Sequence, residues 1–200
     1  MKKAFLLVLI LFVSVVTTAC INNFAVQELN NKAKMYLEQG DYDNAISRLK
    51  SSIDLDNSIF ETHYNLGIAY TQAEKYPQAV ETFNNAINLK PNFPDTYYSL
   101  GVAQENYAKG IMDGSLRNVD LNAEKNEIKS QIEDVEAGQP VVLTQQEKDQ
   151  INQLLNAAII AYQNYVAKGQ NVEDKQEVEQ KIESLKTQAL KYSSQLQQQQ

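Results

Sequence analysis

The sequence predicts an all-α fold, a short solenoid of helical hairpins. Three observations lead there. Glycine and proline are scarce, 7 and 4 residues in 200, while Ala, Leu, Gln, Glu and Lys are plentiful; those side chains lose little freedom in a helix. Apolar residues recur at three- and four-residue spacing, the period of a helix buried on one face. The stretch 62–91, THYNLGIAYTQAEKYPQAVETFNNAINLKP, reads as two amphipathic helices around a tight turn. Its pattern partly recurs 34 residues away on either side, a period typical of stacked helix pairs.

Whole-chain composition narrows the function. Apolar content of 43% against 22% charged residues marks a globular chain, and its length suits one domain with an appendage. The formal charge is −7, and no stretch clusters Lys or Arg. Such a chain neutralises phosphates poorly, so nucleic acid is not expected as a partner. Electrostatic docking onto anionic lipid is disfavoured for the same reason.

Residues 1–19 read as an export signal. Met1-Lys2-Lys3 is a positive start, Ala4 to Val16 is an almost unbroken apolar run, and Thr17-Thr18-Ala19 brings small residues before Cys20. The run is short for a membrane span, which takes roughly 20 residues. Thr17-Thr18-Ala19-Cys20 resembles a bacterial lipobox, with Thr where Leu is commonest. That resemblance implies cleavage before Cys20 and a lipidated N-terminus at Cys20, with 20–23 as linker. An ordinary free thiol is one alternative, and an uncleaved anchor is another. Acyl chains contribute about 0.8 kcal/mol per buried CH₂, so two or three hold a protein to a membrane without a basic patch. Ile21 after the cysteine, rather than Asp, implies by the same resemblance the outer membrane, facing the periplasm, in a cell with two membranes. A single cysteine excludes an intramolecular disulfide.

Residues 24–192 are expected to form the helical domain. The first hairpin spans about 24–57. Leu29, Ala33, Tyr36 and Leu37 supply the apolar face of its first helix. Gly40 gives the turn a permissive backbone, Asp41 or Asp43 caps the second helix, and Ala45, Ile46, Leu49 and Ile53 form the buried stripe. The second hairpin, about 58–91, places His63, Leu66, Gly67, Tyr70, Ala79, Phe83, Ala86 and Pro91 at fixed offsets. This pattern resembles the tetratricopeptide repeat (TPR), whose offsets favour W, L, G, Y, A, F, A and P. Seven of the eight agree, with His63 in place of Trp. Gly67 and Ala79 let helix axes approach, Tyr70 and Phe83 fill the gaps, and Pro91 stops the second helix. His63 has no second His or nearby Cys to make a ligand set, so packing is its expected role.

The third repeat opens at Phe93-Pro94-Asp95 and matches at Tyr97, Leu100 and Gly101, with Gln104 where Tyr is usual. Its first helix is expected over 95–109. The period then breaks, and about 111–143 reads as an insertion, with a loop at 111–118 and a helix at 120–137 ended by Gly138 and Pro140. Thr144-Gln-Gln-Glu147 is a capping box opening a long helix to Lys168, closed by Gly169. Ala158, Tyr162 and Tyr165 there fall at the offsets of a TPR second helix, so repeat three reads as 94–168 with the insertion inside it. Asn171 is expected to cap a last helix, about 172–192, whose stripe of Val178, Ile182, Leu185 and Ala189 suits a solenoid cap. Residues 193–200 read as a frayed Gln-rich tail.

No catalytic, metal or cofactor constellation emerges. HExxH, CxxC, GxSxG and a Gly-rich phosphate loop are all absent from the sequence, and Asp54-Leu-Asp56-Asn57 lacks the spacing of a calcium loop. No enzyme is expected. The TPR resemblance implies instead a concave groove, lined by the first helices of the repeats, that holds a partner's peptide or helix. By offset its positions are Asn30, Lys34, Glu61, Tyr64, Ile68, Thr71, Asp95, Tyr98, Val102 and Glu105. Tyr64 and Tyr98 stand one repeat apart, and exposed aromatics are favoured contacts; the alternative is that each packs on its neighbouring helix. Lys34 is the one cation, whereas TPRs that clamp a chaperone's terminal carboxylate need several. The expected function is a membrane-anchored, non-catalytic scaffold in the bacterial cell envelope with a protein partner and no cofactor. A docking regulator of a cell-wall enzyme is the first alternative. A ligand carrier or hydrolase at the groove mouth, with a deep pocket against His63 or Tyr98, is the second. The insertion is the candidate for self-association.

Overall fold

The structure, a computed structural model, describes residues 23–116, 141–169 and 173–197. These contain seven helices and no strand: α1 (23–38), α2 (Tyr42–Leu55), α3 (Phe60–Gln72), α4 (Tyr76–Leu89), α5 (Pro94–Met112), α6 (Gln145–Lys168) and α7 (Lys175–Gln197). The leader with Cys20, the 120–137 segment and Asn171 lie outside the described residues. The helices fall into two compact units, one up to Glu74 and one from Lys75 onward.

In the first unit, Ala33, Ala45, Ile46, Leu49, Leu66 and Ala69 form the core, with Tyr36, Leu37, Ile53 and Tyr70 packed around it. Val26 is also buried, one turn ahead of the expected stripe of α1. Asp41 caps α2: its Oδ1 accepts from the Asn44 N–H at 3.2 Å. Gly40 before it has φ +72°, a left-handed turn that glycine makes without cost. Thirty-four residues on, Glu74 adopts φ +58° at the end of α3. The same stop is used there by a residue that disfavours it. The Asp56 carboxylate accepts from the Ser58 N–H at 2.9 Å and its hydroxyl at 2.6 Å, which holds its pKa below the ordinary range and closes the α2–α3 turn. Asp56 is therefore the repeat turn that its sequence context suggests.

In the second unit, α4 buries Ala79, Phe83 and Ala86 completely and packs on α5. Lys90 caps α4 just before Pro91. Helix α5 differs from expectation: it continues through Gly110 to Met112, so residues 111 and 112 belong to it rather than to a loop. The reason is burial. Ala108 and Ile111 join the core made with α6 and α7, and the Leu116 side chain lies where a Cβ on Gly110 would be, 2.5 Å away. The helix ends at Gly114, φ +79°. A Cβ there would lie 3.3 Å from Val141.

Thr144 makes the capping box, taking the Glu147 N–H and giving its own N–H to the Glu147 carboxylate. On α6, Ile151, Leu155, Ala158, Tyr162 and Tyr165 alternate steps of four and three. On α7, Val178, Ile182, Leu185, Ala189 and Tyr192 do the same, so the two helices pair along a heptad-like seam. Helix α7 begins at Lys175, later than the expected 172, and runs past 192 to Gln197. Asp174 precedes it, its carbonyl accepting from the Val178 N–H at 3.0 Å and its carboxylate engaged by Tyr165. Residues 193–197 continue the helix because Ser, Gln and Leu offer nothing to end it.

Candidate functional site

Among the expected groove positions of the first unit, three point to solvent or lie at its edge. Lys34 and Glu61 are exposed, and Ile68 is half-buried. Tyr64 is half-buried with its ring stacked on Phe60, centroids 5.8 Å apart. Asn30 and Thr71 are tied internally. Asn30 Nδ2 donates to the Val26 carbonyl and to Ser52 Oγ, each at 2.9 Å, and its Oδ1 accepts from the Thr62 hydroxyl at 3.1 Å. Ser52 and Thr62 are both fully buried, so Asn30 knits α1, α2 and α3 through a polar contact within an apolar core. A buried polar group needs such partners. Sequence reading missed this triad, although Ser52 and Thr62 interrupt apolar stripes. Thr71 Oγ1 donates back to the Gly67 carbonyl at 2.9 Å.

His63 is 8% exposed, and its Nε2 contacts the Asn57 carbonyl at 2.9 Å. It pins the turn ahead of α3, the packing role expected of it.

The second unit gathers Tyr98, Val102 and Glu105 of α5 against α6 and α7. The Tyr98 ring meets Tyr162 edge-on at 5.6 Å and Tyr165 at 5.1 Å, and Val102 packs on the core. Glu105 accepts from the Tyr162 hydroxyl at 2.7 Å and pairs with Lys181 at 3.0 Å. Lys181 also lies 5.5 Å over the Tyr162 ring. Burial, then the charge and hydrogen bond of Glu105, hold the Tyr162 hydroxyl far above the ordinary tyrosine range. Burial, the bond to Asp174 and that carboxylate's charge, with smaller effects of Asp95 and Tyr98, push Tyr165 up to about 12. Tyr107 is raised by burial, against the Gln150 amide that donates to its hydroxyl at 2.9 Å. Lys181 and Asp174 carry no sequence signal for these roles, since their partners lie on other helices.

Gly101 sets how closely α5 and α6 approach. A Cβ there would lie 2.9 Å from Tyr162 Cε1. Gln104, where the repeat pattern has Tyr, is buried, and its Oε1 has no hydrogen-bond partner among the described residues. An open groove of about 740 Å³ runs between α6 and α7, lined by residues such as Val166, Ile182 and Lys186. Neither His63 nor Tyr98 lines it.

Paired helices with a glycine at the crossing and a left-handed stop at the turn define a helical-repeat protein. The family profile for the TPR repeat matches residues 33–73 and 68–106, and the fold is all-α of the TPR type. The first TPR domain of the human RPAP3 protein is similar at 18% identity, over 83% of this chain and 95% of that one, with a TM-score of 0.55. The first TPR of Spaghetti (RPAP3), bound to the HSP90 peptide SRMEEVD, matches at 17% identity over 78% and 92%, TM-score 0.51. The TPR2B domain of yeast Sti1, in a complex with pHsp70, matches at 17% over 82% and 98%, TM-score 0.51. No curated protein matches the sequence.

Proposed function

We propose that the chain is a non-catalytic protein-binding module, lipid-anchored through Cys20 in a bacterial cell envelope, that holds a partner's peptide or helix along the first-helix faces of its repeats. The carrying observation is Tyr64. It sits at a groove offset, its ring stacked on Phe60 one turn earlier on α3, with Glu61 exposed on the same helix. A pre-ordered aromatic contributes contact area with few rotors left to freeze. One TPR domain of similar fold is bound to the HSP90 peptide SRMEEVD and another is in a complex with pHsp70, which supports a protein or peptide ligand here. The anchor rests on the order of Met1–Lys3, the apolar run and Thr17–Cys20. Among the described residues no helix is long and apolar enough to cross a membrane.

Photo-crosslinking in cells tests the surface. Probes at Tyr64 and Ile68 are expected to give one discrete protein adduct that a probe at exposed Ser47 on α2 does not give. Adducts from Ser47 alone would move the working surface off these faces. The anchor is tested separately: Cys20→Ser is expected to abolish incorporation of a labelled fatty acid and to change the protein's membrane fractionation. Unchanged labelling would refute lipidation at Cys20.

A further inference from the structure

We infer that the partner presents a lysine or arginine side chain, and that Asp95, Tyr98, Tyr165 and Asp174 of the second unit seat it. This rests on the proposal that the first-helix faces bind a peptide. Asp95 and Tyr98 are three residues apart on α5 and share a face. The rings of Tyr98 and Tyr165 stand 5.1 Å apart, both half-buried, so part of each meets solvent. The Tyr165 hydroxyl donates to Asp174 Oδ1 at 2.9 Å, which fixes a carboxylate beside the ring pair. Asp95 is exposed, and its charge reaches the same hydroxyl.

The lysines on neighbouring turns are engaged elsewhere. Lys181 pairs with Glu105 and lies over Tyr162, and Lys168 lies 5.2 Å over the Tyr97 ring. Two carboxylates and two aromatic rings therefore form a negative, π-faced patch with no cation paired to it among the described residues. A guanidinium or ammonium gains there from ring faces and from charge-assisted hydrogen bonds together. An acidic tail such as SRMEEVD would meet the wrong charge.

The test is selection of peptides from a random 12-residue displayed library on the purified full chain, in parallel with the Asp95→Asn/Asp174→Asn double variant. Asparagine at 174 still accepts from Tyr165, and equal helical circular dichroism establishes that the variant folds. Enriched peptides are expected to carry Lys or Arg at one fixed position. Replacing that residue with norleucine should weaken binding at least tenfold on the wild type and less than twofold on the variant. Peptides that lack a basic residue, that are acidic, or whose dependence on it is the same on both proteins would overturn the inference while leaving the peptide-binding surface intact. No enriched peptide at all, or enriched peptides that do not protect Tyr98 from crosslinking, would overturn the surface itself and this inference with it.

Discussion

Replacing Tyr162 with alanine is expected to cost about 3–5 kcal/mol in urea unfolding, the range for removing a large buried ring. The side chain is fully buried, and its ring joins Tyr98, Gly101 and the α5–α6–α7 core. Its hydroxyl bonds Glu105, which also holds Lys181. The Glu105–Lys181 pair is itself about one-third exposed and contributes on the order of 1 kcal/mol or less, so the ring dominates. Tyr162→Phe separates the two effects. It keeps the packing and loses one charge-assisted bond, a cost of roughly 1.5–3 kcal/mol.

The same variant has a pH signature. The folded state raises the Tyr162 hydroxyl above its unfolded value of about 10. The folded protein therefore holds a proton that the unfolded chain releases. Stability from this group is complete below pH 10 and falls above it, at up to about 1.4 kcal/mol per pH unit. Tyr165, pushed up to about 12, adds a second fall confined between pH 10 and 12. In Tyr162→Phe the alkaline slope should be shallower by one group. An unchanged slope between pH 10 and 11.5 would show that Tyr162 does not titrate on unfolding.

Local signals made the helices legible. Thr144 and Glu147 lie three residues apart, and the box they form needs nothing beyond its own turn. Gly40, Asp41 and Pro91 act within a few residues of themselves, and the buried Ala79, Phe83 and Ala86 follow the helical period. Where a buried face recruits a residue that local rules discount, the reading falls short. Gly110 looks like a breaker, yet Ile111 beyond it is core, and the extra helix follows from that burial. The polar groups were the least legible. Asn30 and Ser52 are 22 residues apart, and Glu105 and Lys181 are 76 apart. No periodicity links such pairs, because each depends on how whole helices are placed. That is also why Glu105 and Asn30, groove-facing by offset, turn out to bond inside their own units, while Tyr64 keeps a surface role open.

Substituting Gly101 by valine is expected to destabilise the second unit by about 3 kcal/mol, the upper end of ordinary overpacking. The first added atom would already lie 2.9–3.0 Å from three carbons of the Tyr162 ring. The ring has little room to retreat, because Tyr98 meets it edge-on and Glu105 holds its hydroxyl. Gly101→Ala faces the same contact with a smaller group. Against it stands a gain of about 0.8–1 kcal/mol in helix propensity, so alanine should cost less than valine and still be net destabilising. The decisive comparison is the same pair of substitutions in a Tyr162→Ala background. With the ring gone, alanine at 101 should keep only its propensity gain and become stabilising, and valine should lose most of its cost. Residues in direct contact couple in this way, whereas distant ones add. A reversed sign for Gly101→Ala between the two backgrounds would establish that glycine is required at this crossing to admit the tyrosine. Equal costs in both would place the constraint on Gly101 elsewhere, in the α5 backbone itself.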